Sequence, residues 1–233
     1  MLQALLFDCD GVLAETECDG HRVAFNQAFA NTGLDLEWTV ERYGELLSTA
    51  GGKERLRRHF DDTTWPVEAL DHDAFLRDLH GLKTTLFMDL IGATGMAPRP
   101  GLVTLMDEAI AAGITLAVCS TGTISAVQAV LVGVAGPVRA AHFTLFAGDM
   151  AAAKKPDPAV YLLALDSLGL DPARSVAIED SAIGLNAARA AAIACIVTPS
   201  FYTAHEDFTG AARVVEDLEA IRLVDCVAAL DGS

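Results

Sequence analysis

The chain has 233 residues, 52% of them hydrophobic and 21% charged, and a formal net charge of −16. That is the composition of a folded protein with one sizeable core and a smaller second domain, and it excludes a disordered chain. The acidic balance excludes nucleic acid and anionic membrane as partners, because both need a basic face, and no apolar run reaches the ~18 residues of a membrane span.

Residues 2–7 are a continuously apolar run of strand type that ends abruptly in Asp8-Cys9-Asp10-Gly11, an acidic, turn-like tip. From about residue 15 to 92 the texture is helical and richer in charge and aromatics, with Val23, Phe25, Ala28 and Phe29 on one face and breaks at Gly51–Gly52 and Pro66. Four of the sixteen Lys and Arg fall within six positions here, Lys53, Arg55, Arg57 and Arg58, either as a phosphate-binding group or as a solvated helix face. Beyond Pro98-Arg99-Pro100-Gly101, helix and strand alternate. Residues 102–112 read as a helix stopped by Gly113, 114–119 as a strand ending in Ser120-Thr121-Gly122, and 143–146 as another strand. A helix is expected over 157–168, capped by Asp157, with Pro158 in its first turn and Gly169 past its end. The strand 175–178 runs into Glu179-Asp180, and an Ala-rich helix and a strand over 193–198 follow.

Strands apolar on both faces, alternating with helices, predict an α/β fold: a Rossmann-like doubly wound parallel sheet covered on both sides. Residues 1–14 and 95–233 are expected to form the α/β catalytic core. Residues 15–94 are expected to form an inserted α-helical cap, entering at the end of strand one so as to lie over the site like a lid. The five cysteines show no metal-finger spacing, and Cys9, Cys119 and Cys195 lie in apolar runs, so buried reduced thiols are expected. The N-terminus has no signal-type stretch, so the expected location is cytoplasmic, or the plastid stroma for a mature organellar form. The oligomeric state is left open, with a monomer sufficient.

Four segments lie at or just beyond predicted strand ends: Asp8/Asp10, Ser120/Thr121, Lys154/Lys155 and Glu179/Asp180. In a parallel sheet these ends converge on one edge. Taken singly, Asp8 and Asp10 fit a polar turn, and Glu179-Asp180-Ser181 fits a helix N-cap. Together the carboxylates would repel one another, and a hard cation such as Mg²⁺ resolves this. An Asp carboxylate attacks phosphorus to form an aspartyl phosphate. Lys155, the Ser120 hydroxyl and backbone N–H groups near residues 9–11 are suited to the spreading negative charge. Asp10, two residues on along an extended segment, points the same way and can move the proton.

These residues resemble the motifs of the haloacid-dehalogenase-like hydrolases. Asp8-Cys9-Asp10-Gly11-Val12-Leu13 looks like motif one, Ser120 motif two, Lys155-Pro156-Asp157-Pro158 with Tyr161 motif three, and Glu179-Asp180-Ser181 with Gly184 and Ala187 motif four. The resemblance implies Asp8 as nucleophile, Asp10 as general acid and base, and Ser120 and Lys155 as holders of the phosphoryl group. It implies Mg²⁺ on Asp8, the Asp10 main-chain oxygen and Asp180, with Glu179 close by. Lys154 competes for the motif-three role, and the Lys-Pro-x-Pro spacing favours Lys155.

The helical insertion is similar to the cap of the β-phosphoglucomutase-like branch. Ala14-Glu15-Thr16-Glu17, Tyr43-Gly44-Glu45-Leu46-Leu47 and Gly51-Gly52-Lys53-Glu54-Arg55 resemble the CbbY-type phosphatases of xylulose-1,5-bisphosphate, an inhibitor of Rubisco. Cys18-Asp19-Gly20 is one residue longer than in those proteins. The implied partner is a small phosphosugar. Lys53, then Lys83, would take its second phosphate, and Glu17, His21 and Tyr43 its hydroxyls. Thr121 and Arg99 are further substrate-binding candidates, Arg99 alternatively bracing the cap-to-core linker. His21 and Tyr43 also fit as partly buried helix residues. A phosphomutase, another small-phosphosugar or phosphoglycolate phosphatase and a non-catalytic phosphosugar sensor are the alternatives. Asp10 counts against carbon–halogen hydrolysis.

Overall fold

The computed structural model describes residues 1–230, which divide into two compact units, 1–15 with 96–230 and 16–95. In the first unit the chain runs β1 (Ala4–Phe7), α5 (Leu102–Ala111), β2 (Thr115–Cys119), α6 (Ile124–Ala140), β3 (Phe143–Phe146), α7 (Ala159–Leu168), β4 (Ser175–Glu179), α8 (Ala182–Ala190), β5 (Ala194–Val197), β6 (Arg213–Val214) and α9 (Leu223–Ala229). The second unit holds α1 (Arg22–Asn31), α2 (Val40–Leu46), α3 (Gly52–Asp62) and α4 (His72–Thr94). Among the described residues no helix is long and apolar enough to cross a membrane.

The six strands form one sheet in the order β3-β2-β1-β4-β5-β6, every pair parallel. β1 and β4 are buried along their whole length, as central strands covered on both faces must be. Leu5 pairs with Leu116 on one side and Val176 on the other, so β1, β2 and β4 end level with one another. Asp8, Ser120 and Asp180 each follow directly on one of these strands, and Glu179 is the last residue of β4. The sheet order, not sequence proximity, makes them neighbours.

Several element ends differ from the sequence reading by one or two residues. Helix α7 starts at Ala159 rather than Asp157, because Asp157 Oδ1 accepts the Ala159 N–H at 2.9 Å and holds a turn ahead of the helix. Helix α6 is broken at Gly136, where φ is +75°, ahead of Pro137, which cannot continue the hydrogen-bond ladder. The described cysteines are free thiols, and Cys9, Cys119, Cys195 and Cys226 are buried. Burial pushes the Cys119 thiol up to about 12, so it stays protonated and unreactive.

The helical unit has its own core. Ala24, Phe25, Ala28 and Phe29 form the buried stripe of α1. Trp38 sits against the rings of Phe25 and Phe29 with centroids at 4.7 and 5.0 Å. Asn26 clasps the Trp38 backbone, accepting its N–H at 2.8 Å and donating to its carbonyl at 3.0 Å. Ahead of α1, residues Glu17–His21 form one π-helical turn.

Candidate active site

Three strand ends and one loop build the acidic centre. Beyond β1 the chain turns sharply, with Gly11 N–H donating to Ala14 O and Leu13 N–H to Cys9 O, each at 2.9 Å. Gly11 has φ +78°, and a Cβ there would lie 2.2 Å from Asp180 Oδ2, so both the backbone and the crowding demand glycine. Gly184, in the first turn of α8, is required by crowding alone, because Glu179 Oε2 would lie 1.9 Å from a Cβ there.

The Lys155 ammonium joins the segments. Its Nζ donates to Asp8 Oδ1 at 2.7 Å, Glu179 Oε1 at 2.7 Å and Cys119 O at 2.8 Å. Those three acceptors use all three of its protons. Lys155 is 6% exposed and Glu179 0%, so this is a buried ion pair that either partner needs. The Tyr161 hydroxyl also donates to Glu179 Oε1, and the Lys155 Nζ stands 5.1 Å from the centre of that ring. Lys154 donates to Thr121 O at 3.4 Å. Ser120 is buried, and its Oγ accepts the Gly122 N–H at 3.0 Å at the turn after β2.

Burial raises Asp8 from 3.8 to about 7, with Glu179 and Asp10 pushing the same way against the pull of Lys155. Burial lowers Lys155, but the Asp8 and Glu179 charges outweigh it and hold the ammonium well above its ordinary range. Asp8, Glu179 and Asp180 each bring a carboxylate oxygen within 4.8 Å of the others. Glu179 Oε2 is buried without a hydrogen-bond partner among the described residues. Several buried anionic oxygens facing one another with too few donors are what a hard divalent cation fits, and these residues suit Mg²⁺. The Asp10 side chain is outside this three-carboxylate set.

A carboxyl group raised in the fold favours the folded state while protonated, below about 3.8, and that contribution is lost as pH rises through about 7. A cation bound at Asp8 has to displace its proton. Apparent Mg²⁺ affinity is therefore expected to be about 10-fold tighter at pH 8 than at pH 6, read from the thermal midpoint across a Mg²⁺ titration. Equal affinity at both pH values would contradict it.

The substrate-binding candidates fall in two places. In the core unit, Arg99 forms an ion pair with Glu15 and donates to Thr198 Oγ1 at 2.9 Å and Pro199 O at 3.0 Å. Its own N–H meets Leu13 O at 3.0 Å, so it braces residues 13–15 against the end of β5. In the helical unit, the Tyr43 hydroxyl donates to Glu17, and Arg55 reaches both, at 3.0 Å to Tyr43 Oη and 3.2 Å to Glu17 Oε1. The buried Lys83 Nζ lies 2.7 Å from His21 Nδ1 and 4.7 and 5.0 Å from the ring centres of Phe25 and Phe87. Lys53 is half-buried at the start of α3. Arg57 pairs with Asp73, and Arg58 lies 3.9 Å from Asp62 while donating to the Ser48 and Thr49 hydroxyls, all within the same unit.

An all-parallel sheet in this order, with acids and a buried lysine at its carboxyl edge, is a Rossmann-like α/β architecture that carries its site at the strand ends. The family of haloacid dehalogenase-like hydrolases matches residues 2–192, and the chain belongs to it. The chain is 50% identical over 217 residues to a CBBY-like protein of Arabidopsis thaliana, covering 91% of this chain and 68% of that one. It is 46% identical over 217 residues to Protein CbbY of Cereibacter sphaeroides, covering 93% and 92%. A crystal structure of a CbbY mutant from Rhodobacter sphaeroides in complex with xylulose-(1,5)bisphosphate superposes with a TM-score of 0.90 at 42% identity, over 97% of this chain and 99% of that one. Within the family its place is among the CbbY proteins.

Proposed function

We propose that this hydrolase is a Mg²⁺-dependent phosphatase that removes one phosphate from a sugar bisphosphate, foremost xylulose 1,5-bisphosphate, through the Asp8 carboxylate. The observation that carries the reading is the meeting of Asp8 Oδ1 with the Lys155 ammonium at 2.7 Å beside Glu179 and Asp180, at the end of a central strand. The substrate is supported by the CbbY structure that holds xylulose 1,5-bisphosphate.

An Asp8 oxygen attacks phosphorus, the bond from phosphorus to the sugar oxygen breaks, and Asp10 gives its proton to that oxygen. Asp10, now ionised, takes a proton from water, whose oxygen attacks phosphorus and frees Asp8 and inorganic phosphate. Lys155 and the Ser120 hydroxyl offset the charge on the phosphoryl oxygens. Mg²⁺ held by Asp8, Asp180 and the Asp10 main-chain oxygen, with Glu179 beside them, would add positive charge there. Lys53, Lys83, His21, Glu17 and Tyr43 of the helical unit are assigned to substrate choice, and Arg55 joins them as the partner of Glu17 and Tyr43.

Phosphate release should be compared for xylulose 1,5-bisphosphate, ribulose 1,5-bisphosphate, fructose 1,6-bisphosphate, glucose phosphates and phosphoglycolate. Fastest release is expected from xylulose 1,5-bisphosphate, abolished by EDTA and restored by Mg²⁺. An isomerised sugar phosphate without phosphate release would overturn the reading.

A further inference from the structure

We infer that the loop after β5 positions the acidic turn after β4, acting through Thr203 and Glu206. This rests on the reading of Asp180 as a metal carboxylate. Asp180 stands between β4 and α8, where the strand ladder has ended and the helix has not begun. The last ladder contact is the Thr198 N–H on Glu179 O, at 2.8 Å. Past it, the chain turns back and holds the turn on either side of Ser181.

Thr203 is buried, and its Oγ1 donates to Asp180 O at 2.6 Å while accepting the Ser200 N–H at 2.8 Å. The Ser200 hydroxyl lies 3.0 Å from the same oxygen. The Thr203 hydroxyl thus ties the Asp180 carbonyl to the Ser200 backbone through one buried oxygen, with the Ser200 hydroxyl beside it. Glu206 Oε2 accepts the Ala182 N–H at 2.6 Å, a charge-assisted bond at the first residue of α8. Ser181 Oγ accepts the Gly184 N–H at 3.2 Å and completes the cap. On the other side, Gly11 leaves no room between its backbone and the Asp180 carboxylate. The direction of that carboxylate is then set by the backbone beneath it, and Thr203 and Glu206 are the side chains from outside the motif that hold this backbone. Both are positioning residues, acting through the Asp180 carbonyl and the Ala182 N–H.

Partners that orient a ligating group typically change metal affinity by 10–100-fold when lost. The test is a titration of Mn²⁺ into the whole enzyme without substrate, with bound ion read by electron paramagnetic resonance. Thr203→Val and Glu206→Ala are each expected to bind about 10-fold more weakly than wild type, or worse. Thr203→Ser and Glu206→Gln keep the donor and the acceptor and should stay within about 3-fold of wild type. Unchanged affinity in Thr203→Val and Glu206→Ala would overturn the inference, as would equal losses in the conservative variants. A wild-type enzyme that takes up no Mn²⁺ would overturn the metal reading beneath it instead. If Thr203→Val does not fold, Glu206→Ala, a half-buried loop position, carries the test alone.

Discussion

Asp8→Asn is expected to lower phosphate release from xylulose 1,5-bisphosphate on the order of 10⁴-fold or more, with the protein still folded. An amide cannot form the acyl phosphate, yet it occupies the same space. The change also removes one of the charges crowded at the centre. Burial, Glu179 and Asp10 all disfavour ionised Asp8, with its pKa raised to about 7. At pH 8 and without divalent cation, the neutral amide should therefore leave the thermal midpoint unchanged or raise it. A large fall in stability would mean that Asp8 is chiefly a structural partner of Lys155. Retained turnover would remove it from the chemistry altogether.

Lys155→Met is expected to fail in the opposite manner, losing stability as well as rate. The methionine leaves the fully buried Glu179 carboxyl group and Asp8 without their shared cation. Removing one partner of a buried ion pair costs about 3–5 kcal/mol, because the other charge is left uncompensated. Urea denaturation would read this directly. The double variant Lys155→Met with Glu179→Gln removes both charges and should recover part of the loss, since a neutral pair has no buried charge to leave stranded. A loss below about 1 kcal/mol in Lys155→Met would show the pair to be solvated and weak, as exposed pairs are.

The strand ends were legible because β1, β2 and β4 are apolar on both faces and stop at polar residues, a pattern that needs no knowledge of partners. The choice of Lys155 over Lys154 came from the Lys-Pro-x-Pro spacing, and the ammonium that reaches Asp8 is that of Lys155. The start of α7 is ambiguous in the sequence because a Pro in a first turn is compatible with a helix starting at either residue, and only the Asp157 turn decides between them. Other features depend on pairings far apart in the chain. Arg55 joins Glu17 across 38 positions, Tyr161 reaches Glu179 across 18, and Thr203 reaches Asp180 across 23. None of the three has a local pattern that announces its partner. The Ser200 and Thr203 hydroxyls lie in a loop that reads as an ordinary polar connection until the sheet brings β4 and β5 side by side.

The most direct measurement is the mass of the peptide carrying Asp8, taken from wild-type enzyme quenched in acid during turnover of xylulose 1,5-bisphosphate with Mg²⁺. A phosphoryl adduct on Asp8 that forms within the first turnover and decays as substrate runs out is the predicted result. Phosphate released at full rate with no adduct on Asp8, or with the adduct on another residue, would contradict it.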